Sequence, residues 1–410
     1  MERSGGTISA GSWLLALGIA RQGLGLLLTI VLVRVLSTEE FGEYRFVLTA
    51  VSLCGVFTLQ GYAGAITQST ARGHRGTYYA SFGPVLVGSC VGVLFLIAAA
   101  YYMATGADSQ IWIALLLAAA LFPLSEGLTQ WQAYLAGLES FRKTAIYQGI
   151  SMVLTNLAMI GVALLPEPDP IAIVGLLYGV PAVMNIYYTM KIHRKDGAAT
   201  RERAEDGALR YGLRTSILAA LNTIGNSLDS LLLFTVLTPE ALAVFSVANR
   251  IPELLKRNIQ ALRAVIIPKL SRTERYTATL DRRFNLLGCV NLVSLFFIAF
   301  CIVPWLLPLL FSAKFEEAVP FCQALLLTNA IGGFATAKYT FIVSRLDERS
   351  YRGIVIITNV VRIVCSLALV PWLGIAGAVL ATLVYRMTTA LTVNYYLRKY
   401  YPIHVAGKEQ

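Results

Sequence analysis

Apolar runs follow one another along the whole chain, broken by short polar segments and by two longer charged ones over 193–209 and 269–283. About twelve are long enough for the roughly 20-residue helix that crosses about 30 Å of hydrocarbon. They lie near 10–36, 42–67, 80–105, 111–137, 143–165, 170–192, 210–237, 240–269, 284–311, 318–343, 352–371 and 375–397. Runs such as VGVLFLIAAAYYMA show no alternation of apolar and polar residues, which a barrel strand requires. The pattern predicts an all-α polytopic membrane protein with short connections and no room for a soluble domain.

Two connections repeat. VLSTEEFGEY from Val35 aligns without a gap with VLTPEALAVF from Val236, placing Leu36 on Leu237, Glu39 on Glu240 and Tyr44 on Phe245 at an offset of 201 residues. Ser37 followed by Glu40 is a capping box, in which the hydroxyl and the carboxylate each take one free backbone N–H of the next helix. In the second copy Thr238 is the cap and Pro239 fills the first helical position, where its missing N–H costs nothing. GLESFRKTAIYQGI from Gly137 resembles RLDERSYRGIVII from Arg345 at an offset of 208. The two halves therefore hold about six helices each, an even number, and parallel repeats about an axis along the membrane normal follow. The expected organisation is a six-helix lobe over 1–192, a charged cytoplasmic linker over 193–209 and a second lobe over 210–410.

Composition agrees: hydrophobic residues are 56%, charged residues 14% and mean hydropathy is +0.65, outside the range of soluble domains. A net charge of +11 could indicate a nucleic-acid partner, but the cations fall in alternate connections. They are Arg72 and Arg75, Arg142 and Lys143, and clusters in 191–214, 269–283 and 344–352. The remaining connections carry acids such as Glu39, Glu167, Asp169 and Glu316, with Lys314 as their one cation. By the positive-inside rule the basic set and both termini face the cytoplasm. No nucleic acid is expected.

The six cysteines fall in apolar runs without metal-ligand spacing, which predicts small buried apolar residues. Arg21 interrupts the first apolar run, which opens a repeat unit and is expected to be a retained helix rather than a signal peptide. His74, His193 and His404 are scattered, so neither a metal site nor a catalytic triad is expected. The sole Gly-Lys pair is Gly407-Lys408, so there is no phosphate-binding loop of the ATPase type, and no cofactor is expected.

Four segments carry a family resemblance: VLSTEEFGEYRFVLTA, NSLDSLLLFTVLTPEALAVFSVANRIPELL, LFSAKFEEAVPFCQALLL and WLGIAGAVLATLVYR. They resemble the Wzx-type polysaccharide flippases of the multidrug/oligosaccharidyl-lipid/polysaccharide exporter superfamily. The resemblance implies a V-shaped two-lobed transporter, not an enzyme. It would move a polyprenyl-diphosphate-linked oligosaccharide across the bacterial inner membrane by alternating access, serving O-antigen or other surface-polysaccharide assembly. A monomer working beside glycan polymerase machinery is the expected unit.

Polar residues within the spans are the candidate site, because a charge at a helix centre costs about 2.5–3.5 kcal/mol on insertion scales. In the eighth span Asn249, Glu253, Lys256, Gln260 and Arg263 are spaced 4, 3, 4 and 3 and share a face, flanked by Arg250 and Arg257, with a kink expected at Pro252. In the seventh, Asn222, Asn226 and Asp229 form a second polar face. Equal depth from the connecting turn suggests that Asp229 meets Arg250, as a structural ion pair or as a proton or ion switch. Arg21, Lys338, Arg362 and Arg386 are further intramembrane cations, with Arg362 sharing a face with Asn359 and Ser366. Glu126, Gln130 and Tyr134 make an i, i+4, i+8 row below Pro123 that could bind sugar, bind a coupling proton or cap a broken helix. The cations Arg21, Arg250, Lys256, Arg257, Arg263, Lys338, Arg362 and Arg386 outnumber the acids Glu126, Asp229 and Glu253. That imbalance favours an anionic ligand such as a diphosphate.

Two other readings compete. A cation-coupled multidrug exporter should carry an acidic cavity, and a polymerase or ligase of glycan assembly should carry catalytic groups on a sizeable outer loop. A lipid II flippase uses a related diphosphate lipid and is not separated from the main reading. The charge map itself is open to test: reporters fused after Glu40 or Pro168 should read as periplasmic and one near Ala199 as cytoplasmic, whereas a periplasmic signal at Ala199 would overturn the two-half organisation.

Overall fold

The computed structural model describes residues 4–106, 110–196, 202–256, 270, 276–345 and 347–402, with side chains from residue 17 onward. The helices in chain order are α1 (Ser4–Val35), α2 (Thr38–Cys54), α3 (Tyr62–Ala71), α4 (Gly76–Gly106), α5 (Ile111–Ser125), α6 (Gln130–Gly137) and α7 (Phe141–Ala163). Next come α8 (Pro170–Lys195), α9 (Ala208–Leu232), α10 (Pro239–Ala248), α11 (Ala278–Phe297), α12 (Val303–Phe311), α13 (Ala318–Ser344) and α14 (Glu348–Tyr400). There is no sheet among the described residues.

Among these residues nine helices are long and apolar enough to cross a membrane, or ten if Thr38–Thr58 and Tyr62–Ala71, bent by 48°, form one span. Two expected spans, 352–371 and 375–397, run together as the 53-residue α14. They are separated there by Gly374 alone, whose φ of 59° and ψ of −132° break the helical path. Any side chain at 374 would be strained in that conformation and would meet Leu237 Cδ2 at 2.9 Å. The expected eighth span is described only to Lys256. It stops at Ala248, turns at Asn249 and is helical again over 250–256. Pro252 supplies no N–H for the Ala248 carbonyl four residues earlier, which accounts for the interruption. Arg257, Gln260 and Arg263 lie outside the described residues.

Both repeated caps form. Ser37 Oγ accepts from Glu40 N at 3.1 Å while Glu40 Oε2 accepts from Ser37 N at 2.7 Å. Thr238 Oγ1 accepts from Ala241 N at 3.3 Å. The spans present apolar side chains outward, and Trp305 and Trp372, 80% and 86% exposed, stand at their ends as interfacial aromatics do. The cysteines depart from expectation: Cys54 and Cys322 are buried, but Cys90, Cys289 and Cys301 are exposed on the outer faces of spans. A small, weakly polar thiol faces hydrocarbon as readily as protein, so an apolar neighbourhood in sequence does not fix which.

The chain forms two compact units, Met1–Thr223 and Ile224–Gln410, the division falling inside α9. The first has an aromatic centre of Tyr78, Trp131, Tyr134 and Tyr188, with Tyr78 stacked on Tyr134 at 4.5 Å and Tyr147 on Tyr188 at 4.2 Å. The span over α5 and α6 is broken at 126–129. Gly127 sits there where a Cβ would meet the Pro123 carbonyl at 2.4 Å. Asn185 of α8 makes the break tolerable: its Nδ2 donates to the carbonyls of Leu124 and Ser125 at 3.2 and 2.8 Å, and its Oδ1 accepts from Trp131 Nε1 at 2.9 Å. The second unit packs Tyr276, Phe284, Phe341, Ile342, Val393 and Leu397 together.

Part of the expected linker is docked on the first unit. Arg72 pairs with Glu205 at 2.8 Å, Arg75 N donates to Glu202 Oε2 at 3.1 Å, and Glu205 N donates to Thr77 Oγ1 at 3.0 Å. Thr77 is fully buried and also bonds Ser69 Oγ at 2.6 Å. The hydrogen bond from Arg72 holds the Glu205 carboxyl below its usual titration range. Because the docked form has the depressed pKa, its contribution is complete above the ordinary glutamate pKa of about 4.3 and fades as pH falls through the lower value. Thr77→Val, which strands the Glu205 N–H, should therefore lower stability by about 1–3 kcal/mol. It should also expose 202–207 to protease at neutral pH. Unchanged melting and unchanged cleavage would show that the docking contributes nothing.

Candidate functional site

Two polar faces meet in the second unit. Gly225 of α9 lies where a Cβ would be 2.8 Å from Asn359 Oδ1 of α14, so the two helices approach closely at this level. That approach sets Asn226 and Asp229, three residues apart, against Asn359, Arg362 and Ser366, spaced 3 and 4. Asp229 Oδ2 accepts from Arg362 Nη2 at 3.0 Å, its Oδ1 accepts from Ser366 Oγ, and Asn226 Oδ1 accepts from Arg362 Nη1. Asp229 is 1% exposed and the Arg362 side chain 11%. At such burial each charge depends on the other, since an isolated ion in low dielectric costs several kcal/mol.

The network continues through an aromatic ring. The Arg362 guanidinium lies 5.1 Å and the Arg386 guanidinium 5.3 Å from the centre of Tyr385. Arg386 Nη2 donates to Asn329 Oδ1 of α13 at 2.8 Å, and its Cδ would lie 2.9 Å from any Cβ at Gly332. An aromatic ring attracts a guanidinium without neutralising it, and N–H groups not aimed at the ring remain donors.

Several expectations are corrected. Equal depth paired Asp229 with Arg250; the carboxylate is instead taken by Arg362, because depth along a helix does not fix the direction in which a side chain points. Arg250 and Lys256 are half-buried. Lys338 is only 7% exposed and is closed off by Asp281 at 3.0 Å and Asn394 Oδ1 at 3.1 Å, which makes it a buried ion pair rather than an open anion contact. Asp281 was missed because α11 starts at Ala278, earlier than the apolar run beginning near 284. Asn249 and Glu253 do share a face, bonded at 3.2 Å.

In the first unit Glu126 caps the end of α5 in the break rather than extending a helical row. Gln130 and Tyr134 are buried, Tyr134 donating to Asp196 at 3.2 Å. They contribute to the packing of the unit, not to an open lining. Arg21 is exposed on α1 and lies within electrostatic reach of Glu126. Asn222 is exposed on α9. Tyr385, Asn329, Asn394 and Asn185 went unnoticed in the sequence, although each asparagine is a lone amide in an apolar run and so already in need of a partner.

Solved structures of membrane transporters share this helical fold. The lipid II flippase MurJ in an inward closed conformation aligns with a TM-score of 0.72 at 12% identity, covering 93% of this chain and 87% of that one. A multidrug-resistance MATE transporter in an outward-facing conformation aligns with a TM-score of 0.60 at 14% identity, covering 93% and 92%. A superfamily member from Pyrococcus furiosus, described as having a binding pocket of reverse polarity, gives 0.57 at 14% identity, covering 93% of each. No curated protein matches in sequence. Residues 31–320 match the family described as polysaccharide biosynthesis protein, and the chain belongs to that family.

The Asp229–Arg362 pair yields a direct test. Removing one partner of a buried pair costs about 3–5 kcal/mol. Asp229→Asn should lower the melting temperature of the detergent-solubilised protein accordingly, and adding Arg362→Gln should recover part of the loss. Additive losses in the double variant would show that the two residues act separately.

Proposed function

We propose that the protein is a Wzx-type flippase that carries a polyprenyl-diphosphate-linked oligosaccharide from the cytoplasmic to the periplasmic leaflet of the bacterial inner membrane, by alternating access of two six-helix lobes. The observation that carries the reading is the gathering of guanidiniums inside the membrane by a polysaccharide-biosynthesis protein. Arg362 and Arg386 share the Tyr385 ring. In the helices of this unit Arg250, Lys256, Lys338, Arg362 and Arg386 outnumber Asp229, Glu253 and Asp281. Arginine's planar fork matches two phosphate oxygens at once, and a low-dielectric setting strengthens each bond. The fold it shares with MurJ, a protein named as a lipid II flippase, supports a lipid-linked cargo. Asp229 serves in this reading to hold Arg362 in place, and Arg21 of the first unit is a further candidate phosphate contact.

The test is glycan export in cells. A charge-assisted contact is worth about 1.5–3 kcal/mol, so losing one should slow export about tenfold to a hundredfold. Arg21→Gln, Arg386→Gln and the paired change Asp229→Asn with Arg362→Gln should each remain in the membrane while lipid-linked oligosaccharide accumulates on the cytoplasmic leaflet. Arg194→Gln, at the exposed end of α8, should export normally. Normal export by all three variants at normal abundance would end the cationic-path reading. Loss of resistance to cationic amphiphiles with intact glycan export would favour a multidrug exporter instead.

A further inference from the structure

The closing helices of the two halves end alike. VMNIYYTMK, residues 183–191 of α8, and LTVNYYLRK, residues 391–399 of α14, superpose at an offset of 208, the same offset that relates Gly137 to Arg345. Three aligned positions share an outward face at four-residue steps: Val183, Tyr187 and Lys191 in one helix, Leu391, Tyr395 and Lys399 in the other. Val183 and Leu391 are 64% and 70% exposed, and Tyr187 and Tyr395 are 53% and 58% exposed. In each copy the lysine Nζ lies 5.5 Å from the centre of the tyrosine ring one turn earlier. Each ammonium also has a second ring, Tyr147 at 5.0 Å for Lys191 and Tyr400 at 5.4 Å for Lys399. Neither lysine forms an ion pair with a carboxylate among the described residues.

Steps of about 6 Å along the helix take this stripe from hydrocarbon side chain to phenol to ammonium. That order follows the profile of a bilayer leaflet from acyl chain through the ester region to the phosphate. The tyrosines hold the ammonium through their rings and hydroxyls, Lys399 Nζ donating to Tyr395 Oη at 3.3 Å, and leave its charge intact, while its remaining N–H groups stay available as donors. The phenol hydroxyls add donors at ester depth. Such a group selects an anion, and the apolar residue beneath it selects an anion that carries acyl chains over free phosphate. We infer that the Tyr-Tyr-x-x-Lys ends of α8 and α14 are two copies of a binding site for the headgroup of an anionic glycerophospholipid. The inference is independent of the cargo and would hold for a drug exporter equally.

The experiment is native mass spectrometry of the full-length protein titrated with phosphatidylglycerol or phosphatidylethanolamine, with melting temperature in each lipid as a second measurement. A basic residue at the membrane surface is worth about 1 kcal/mol toward anionic lipid, or about fivefold in affinity. Lys191→Gln and Lys399→Gln should each weaken phosphatidylglycerol binding at their own site about fivefold, so that formation of the doubly bound species falls about fivefold in each single variant and about 25-fold in the double, with phosphatidylethanolamine adducts unchanged. Lys314→Gln should alter neither lipid. Tyr187→Leu with Tyr395→Leu should weaken phosphatidylglycerol binding while keeping the charges. Full phosphatidylglycerol affinity in the double lysine variant would overturn the inference, as would displacement of the lipid by millimolar inorganic phosphate. If the double variant does not fold, the unmodified protein decides: thermal stabilisation by phosphatidylglycerol over phosphatidylethanolamine is expected, and equal melting in both overturns the site.

Discussion

Hydrocarbon supplies no hydrogen-bond partner, so a polar atom placed between the membrane faces must find one in the protein, and the internal order of both units follows from that. Threonines in the spans turn back on their own helix, as Thr155 does to the Ser151 carbonyl at 2.8 Å and Thr358 to Ile354 at 2.7 Å. Asn185 takes up two carbonyls that the break after α5 releases. Asp229 is satisfied on both oxygens by Arg362 and Ser366. The last two cases remove orphan polar atoms by bringing two elements to a fixed separation, so the polar minority sets positions within the apolar majority.

The same requirement gives the buried charges two distinct roles. Lys338 with Asp281 and Asn394 is closed, and joins α11, α13 and the end of α14 near the core of Tyr276, Phe284 and Phe341. Arg362 and Arg386 both lie within cation–π reach of Tyr385; Arg362 is paired with Asp229 and also bonds Asn226, whereas Arg386 bonds the neutral acceptor Asn329. A neutral acceptor orients a guanidinium without cancelling its charge, whereas a carboxylate does both.

Broken helices recur where these roles need room. The span over α5 and α6 opens at 126–129, α10 stops at Ala248 ahead of Pro252, and α14 bends at Gly374. In each the cause is local, a proline that withdraws an N–H or a glycine that adopts or borders a conformation closed to other residues. Irregular backbone inside a membrane is tolerated where protein covers it, and Asn185 shows how that cover is made.

The sequence by itself determined the membrane class, the positions of most spans other than 42–67 and 240–269, the paired caps at Ser37 and Thr238, and the grouping of Asn226 with Asp229 and of Asn359 with Arg362 and Ser366. All of these depend on interactions within one helix or on the length of an apolar run, both of which are written in adjacent residues. The partners were decided only by tertiary structure. Asp229 chose Arg362 over Arg250, Lys338 found Asp281, and Gln130 and Tyr134 turned into the core, because the rotation of one helix against another is set by close contacts such as Gly225 on Asn359. Helical periodicity says which residues share a face, and packing between distant segments says which face each one meets.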